Sequence, residues 1–220
     1  MIFRANRKKY RVPPGIRVYA VGDVHGRADL LEQVFTRIDS HRTLRPSAQV
    51  MEVFLGDYID RGPSSRDVID KLISRAATRE VICLRGNHEV FLEEFFRDTR
   101  TISEWKRFGG LETLSSYGLR DAVSQIDILS YAIDLAIPSR HRAFLTNLRP
   151  SFTCGDFFFV HAGVRPGVSL ASQRLEICFG FVTNFLTTRG ILGRSSFMVT
   201  RQCRIQISAT TALISTPAHT

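Results

Sequence analysis

The chain has 220 residues, 44% hydrophobic and 23% charged, which suffices to bury one sizeable core and excludes a disordered or fibrous protein. Its net charge of +9 is unevenly built: Glu176 is the last acid, and residues 177–220 carry Arg189, Arg194, Arg201 and Arg204 with no Asp or Glu. A basic balance that owes so much to missing acids argues against a nucleic-acid partner, and no interleaving of basic and aromatic residues supports one. Residues 1–15 read as a basic, solvated tail. No apolar run follows it that is long enough for a signal peptide or a membrane span, so the expectation is a cytoplasmic protein with no membrane partner. Cys83, Cys154, Cys178 and Cys203 are scattered without a CxxC pair and read as separate reduced thiols.

Apolar runs then alternate with amphipathic segments. "IRVYAVGDVHG" gives a strand ending near Gly22, and "RADLLEQVFTRID" places Leu30, Leu31, Val34, Phe35 and Ile38 on one helical face. "VMEVFLGDYIDRG" repeats the plan, followed by a helix with Val68, Ile69, Leu72 and Ile73 on one stripe and Ser64 or Ser65 as its cap. "REVICLRGNHE" is a third unit, and "FFFVHAG" supplies a fourth strand end. Three successive strand-loop-helix units predict an α/β layered fold with its functional loops at the carboxyl ends of the strands.

The residues at those ends share one chemistry. They are Asp23 and His25, Asp57 and Asp60, Asn87, His88 and Glu89, and His161. Imidazole with carboxylate suits first-row metals such as manganese, iron, zinc or cobalt. A single Asp or His after a strand is usually a turn former, but four such tips in order, each after an apolar run, point to a site.

The ordered blocks "GDVHG", "GDYIDRG", "GNHE" and "HAG" resemble those of the phosphoprotein phosphatases among the calcineurin-like metallophosphoesterases, over about Ile16 to Glu176. "GGLETLSSYG" and "HAGVRPGVSL" look like the bacterial branch of that family. The resemblance implies a β-sandwich flanked by helices. It also implies two divalent ions, manganese first with iron or zinc as alternatives, one held by Asp23 and His25, the other by Asn87 and His161, with Asp57 bridging. His88, oriented by Asp60, becomes the general acid, Arg61 the phosphate clamp, Arg85 a second phosphate candidate, and Glu89 a support for the site. The substrate implied is a phosphorylated serine or threonine protein or a small phosphoester. A dinucleotide polyphosphate hydrolase of the same superfamily and a non-catalytic binding protein with a degenerate site remain open alternatives.

After Glu176 the family pattern stops: no "DLLWxR", "GHTP" or "DTGA" block follows. Read one base earlier, the codons of Glu176 to Thr183 permit Asp-Leu-Leu-Trp-Ile-Arg. Those of Phe197 to Gln202 permit His-Gly-His-Thr-Pro, and those of Ile214 to Thr220 permit Ile-Asp-Thr-Gly-Ala-Tyr. Three missing blocks in one frame and in order, together with the acid-free composition, predict a frameshift near codon 176. The expected organisation is a basic tail (1–15), an incomplete metallophosphoesterase domain (16–176) and an out-of-frame tail (177–220) in which the C-terminal strands are missing or non-native.

Overall fold

The structure is a computed structural model and describes residues 11–124, 126–165, 168–173, 197–199 and 212–215. The expected basic tail and out-of-frame tail therefore lie mostly outside the described residues.

Two sheets form the centre. The larger has the order β3-β2-β1-β7, built from Glu80–Cys83 (β3), Gln49–Phe54 (β2), Ile16–Val21 (β1) and Ala212–Ser215 (β7). β1, β2 and β3 are mutually parallel, with Val18 opposite Met51 and Val53 opposite Ile82, while β7 runs antiparallel to β1. The smaller sheet joins Ser151–Cys154 (β4), Phe157–Val160 (β5) and Phe197–Val199 (β6). Two short strands of the acid-free tail thus have described backbone, one at an edge of each sheet.

Side chains alternate across a strand, and that period divides the core in two. Val18 and Ala20 of β1, Val53 of β2 and Ile82 of β3 face Phe157 and Phe159 of β5 in the interior between the sheets. Tyr19, Val21 and Phe54 face the other way, onto helices. There Ala28–Leu44 (α1) buries Leu31, Val34, Phe35 and Ile38, and Ser65–Ala76 (α2) buries Val68, Ile69 and Leu72, close to the expected stripes. Asn87–Arg97 (α3) follows β3 directly. Ile102–Trp105 (α4), Gly110–Ser116 (α5), Ile126–Ala136 (α6) and Ser139–Thr146 (α7) complete this layer. Among the described residues no helix is long and apolar enough to cross a membrane.

A buried ion cluster ties the sheet to α1 and α2. Glu52 of β2 is fully buried and accepts from Arg75 Nε and Nη2 at 2.9 and 2.8 Å, while Arg75 also grips both oxygens of Asp39 at 2.7 and 2.8 Å.

Candidate functional site

Parallel strands release their chains at one end of the sheet, so the loops after β1, β2 and β3 converge, and His161, after β5 of the facing sheet, joins them at Leu55 O. The loop after β1 is bonded to the loop after β2: the amides of Val24 and His25 donate to Asp57 O at 3.0 and 2.8 Å, and Gly26 N–H donates to Tyr58 O at 2.8 Å. The contact is backbone on backbone. A Cβ on Gly26, whose φ is +62°, would lie 2.5 Å from Gly62 O, and one on Gly62 would lie 2.2 Å from His25 O. Only glycine at both positions lets "GDVHG" and "GDYIDRG" meet.

Asp57 sits at the middle of the site and is fully buried. Its Oδ1 accepts the His88 amide at 3.1 Å, at the start of α3, and lies 3.3 Å from His161 Nε2. Its Oδ2 is buried with no hydrogen-bond partner, 3.7 Å from His25 Nε2 and 4.0 Å from His88 Nε2. Burial pushes the Asp57 carboxyl up, yet His161, His88 and His25 together hold it well below its ordinary value. His161 shows the converse: burial opposes its charge, but the adjacent Asp57 raises it to about 9. His25 is lowered by burial despite Asp57.

The ring nitrogens are sorted by their partners. His25 Nδ1 lies 3.0 Å from Ile59 O and His161 Nδ1 lies 2.9 Å from Leu55 O, so each Nδ1 carries the proton it donates to a carbonyl and each Nε2 faces the site. Asn87 Oδ1 lies 3.0 Å from His161 Nε2. Two groups have donor atoms within 4.8 Å of one another: Asp23, Asp57 and His161, and His25, Asp57 and His88. A buried carboxylate oxygen without a donor, ringed by imidazole nitrogens, is the arrangement a cation would complete, so these residues fit a metal. Asp23 Oδ2 also lies 3.7 Å from His25 Nε2, so Asp23 is within reach of both groups, and His88, expected as the general acid, stands with His25 and Asp57.

Residues 16–176 match the family described as calcineurin-like phosphoesterase. The chain belongs to that family. It is 30% identical over 105 residues to the serine/threonine-protein phosphatase 6 catalytic subunit of Drosophila melanogaster, covering 43% of this chain and 33% of the relative. It is 29% identical over 104 residues to the bis(5'-nucleosyl)-tetraphosphatase PrpE of Oceanobacillus iheyensis, covering 46% and 40%. The matched segments span about a third and two fifths of the length of these two curated relatives. A solved serine/threonine phosphatase from Saccharomyces cerevisiae aligns over 76% of this chain and 44% of its own, at 16% identity and a TM-score of 0.42.

The remaining candidate residues lie around Asp57. His88 is fully buried, and its Nδ1 lies 2.7 Å from Asp60 Oδ2. Arg61 lays its guanidinium across two imidazoles, with Nη1 2.7 Å from His25 Nε2 and Nη2 3.1 Å from His88 Nε2. Glu89, also buried, accepts the amides of Asp57, Tyr58 and Gly86 at 2.9, 2.8 and 2.9 Å, tying the loops after β2 and β3 together. Burial and Asp57 push its carboxyl up to about 7. Arg85 is turned to Glu93, at 3.0 Å, and is not among the groups that meet at Asp57.

Three further residues surround Asp60: Trp105 and Thr113, with no sequence-derived role, and Ser65, one of the two expected caps. Trp105 Nε1 donates to Oδ2 at 2.8 Å, Thr113 Oγ1 donates to Oδ1 at 2.6 Å, and Ser65 Oγ accepts the Asp60 amide at 3.1 Å. Thr113 lies in the noted "GGLETLSSYG" block, but its meaning depends on a contact 53 positions away.

Proposed function

We propose that this phosphoesterase fold serves metal-dependent hydrolysis of phosphate monoesters, with phosphoserine and phosphothreonine proteins as substrates. The reading is carried by the buried Asp57 carboxylate, whose free oxygen faces imidazole nitrogens beside Arg61 and the His88–Asp60 pair. Asp23, His25, Asp57, Asn87 and His161 would hold two divalent ions, manganese by preference. When bound, such ions supply Lewis-acid activation of water and neutralise phosphoryl charge. Arg61 offers parallel N–H donors to two phosphate oxygens. His88 serves as the general acid toward the departing alkoxide, with Asp60 fixing the orientation of its ring through Nδ1. Glu89 acts by holding the backbone of Asp57 in place. The 29% identity to a dinucleotide tetraphosphatase favours a second reading, hydrolysis of a dinucleotide polyphosphate at the same site.

We also propose that residues 177–220 are out of frame, which removes one histidine from the second metal position and one arginine from the phosphate. Loss of one well-placed electrostatic contact costs on the order of 10²–10³ in rate, so the 220-residue chain is expected to turn over poorly. The test is to resequence the coding DNA across codons 170 to 220, then compare this chain with its frame-restored counterpart. Both receive manganese and either phosphoserine peptides or diadenosine tetraphosphate. Hydrolysis of phosphopeptides by the restored chain alone is the expected result. Robust turnover by the 220-residue chain sinks the low-activity reading, and a silent restored chain sinks the phosphatase reading.

A further inference from the structure

Arg61 touches atoms that a metal ligand cannot share. Its Nη1 lies 2.7 Å from His25 Nε2, and its Nη2 lies 3.1 Å from His88 Nε2. A guanidinium only donates, so both ring nitrogens accept in these contacts. The opposite sides of the rings agree. His25 Nδ1 is 3.0 Å from Ile59 O and His88 Nδ1 is 2.7 Å from Asp60 Oδ2, which places the ring proton on Nδ1 in each. A neutral imidazole then offers a single lone pair, on Nε2 and in the plane of the ring. In His25 that is the lone pair a cation beside Asp23 and Asp57 would take, since Nε2 lies 3.7 Å from a carboxylate oxygen of each. It serves either an N–H or a metal ion, never both.

The setting of Arg61 suits exchange. Its backbone is fixed: the amide donates to Gly109 O at 3.1 Å, at a φ of 67°, and a Cβ on Gly109 would come within 2.6 Å of Arg61 N. Its side chain is freer. Arg61 is an exposed residue, and among the described residues its guanidinium bonds to these two imidazoles and pairs with no carboxylate. A neutral acceptor is a weak partner for a guanidinium, and a phosphate dianion is a strong one. The guanidinium can therefore leave by rotation of its own side-chain bonds, with the loop in place.

We infer that Arg61 is an internal competitor of the metal: a cation binding at His25 displaces the guanidinium from both imidazoles, and the displaced guanidinium is the one that grips phosphate. The inference rests on the reading above, in which His25 is a metal ligand and Arg61 the phosphate clamp. Its consequence is cooperativity. Metal and phosphate each favour the arrangement in which Arg61 has left the rings, so through Arg61 each strengthens the binding of the other by the same factor. The departure also frees His88 Nε2, the ring nitrogen that Asp60 does not hold.

The test measures binding and needs no turnover. Manganese(II) is titrated into the full 220-residue chain and into its Arg61→Ala and Arg61→Lys variants, with free manganese followed by its paramagnetic resonance signal, in the presence and absence of inorganic phosphate. Without phosphate, Arg61→Ala is expected to bind manganese on the order of tenfold more tightly, the size of one hydrogen bond from a charged donor. Arg61→Lys is expected to fall between the two, because an ammonium keeps the charge but cannot span both nitrogens. With phosphate, the difference between the parent chain and Arg61→Ala is expected to close or reverse. Manganese affinity that is unchanged or weaker in Arg61→Ala without phosphate overturns the competition. An Arg61→Lys chain indistinguishable from the parent does the same, since charge repulsion alone then accounts for the gain, and so does a difference that phosphate leaves intact. If phosphate alters manganese affinity in none of the chains, the phosphate-clamp reading fails and the exchange with it. If none of the chains binds manganese, the metal-site reading itself is overturned, and the competition falls with it.

Discussion

Replacing Thr113 by valine measures how firmly the site depends on the groups around Asp60. Threonine and valine have nearly the same shape, so the change removes a hydroxyl without opening a cavity. That hydroxyl donates to Asp60 Oδ1 at 2.6 Å and accepts the Asp60 amide at 2.9 Å, between two fully buried residues. The amide keeps Ser65 Oγ at 3.1 Å, so its loss is small. The carboxylate oxygen loses a charge-assisted bond in a place water does not reach, worth about 1.5–3 kcal/mol. With the weakened amide the total comes to about 2–4 kcal/mol, a large share of the 5–15 kcal/mol that holds a typical domain. Trp105 is the only tryptophan, is buried, and donates to the same carboxylate, so its fluorescence during urea unfolding reports this region directly. At a slope of about 1–3 kcal/mol per molar urea, a loss of 3 kcal/mol moves the midpoint by about 1 M or more. Repeating the change in an Asp60→Asn background separates the charged bond from the rest, and a coupling of at least about 1 kcal/mol is expected. A cost below about 0.5 kcal/mol, or the same cost in both backgrounds, would refute the claim that Thr113 supports a charged Asp60.

Glu52→Gln is expected to lower stability by about 3 kcal/mol in thermal unfolding. It strips a fully buried partner from Arg75, and the figure sits at the low end of buried-pair losses because Asp39 still holds that arginine. Asp39 itself gives a pH signature: hydrogen bonds from Arg75 outweigh burial and hold its carboxyl below the ordinary 3.8. A depressed carboxyl contributes stability above its unfolded value and loses it as pH falls through the folded one. The melting difference between the protein and Asp39→Asn is therefore expected to be present at neutral pH and to close as pH falls through the folded carboxyl, below its ordinary 3.8, and a difference independent of pH would contradict it.

The layered fold was legible because three apolar runs each end in a polar tip and lead into a helix with one apolar stripe. The candidate residues on the first three loops were legible as tips for the same reason: parallel strands bring their carboxyl ends together whatever the loops contain. What eluded the sequence lies in contacts between distant positions. Ser64 stands at the start of α2 as expected but makes no side-chain cap bond, while Ser65 turns its hydroxyl to the Asp60 amide instead. Arg85 follows a strand beside "GNHE" and so looked like a phosphate ligand, but Glu93, two turns along α3, takes its guanidinium. Trp105 and Thr113 carry no local signal for reaching Asp60, because helix-forming segments such as theirs declare only which face is apolar.

The backbone around Asp57 adds a physical link between the chemistry and the fold. His25, Asp57, Asp60 and Arg61 all have positive φ, at 44°, 54°, 70° and 67°, and are the non-glycine residues with that conformation among those described. Each such residue costs on the order of 1–3 kcal/mol and persists only where its surroundings over-determine it. Those surroundings are the hydrogen bonds that the amides of Asp57, Asp60 and Arg61 donate to Glu89, Thr113 and Gly109, and the glycine contact between the first two loops. They also gather three buried acids, Asp57, Asp60 and Glu89. Asp60 is met by donors on both oxygens, and Glu89 by three amides, but Asp57 keeps one oxygen with no donor. Among these three buried acids, the one left with an unpartnered oxygen is thus at the centre of the strained loops. Counter-charge supplied there stabilises both the carboxylate and the backbone that presents it, so in this site metal affinity and local folding free energy are the same quantity seen from two sides.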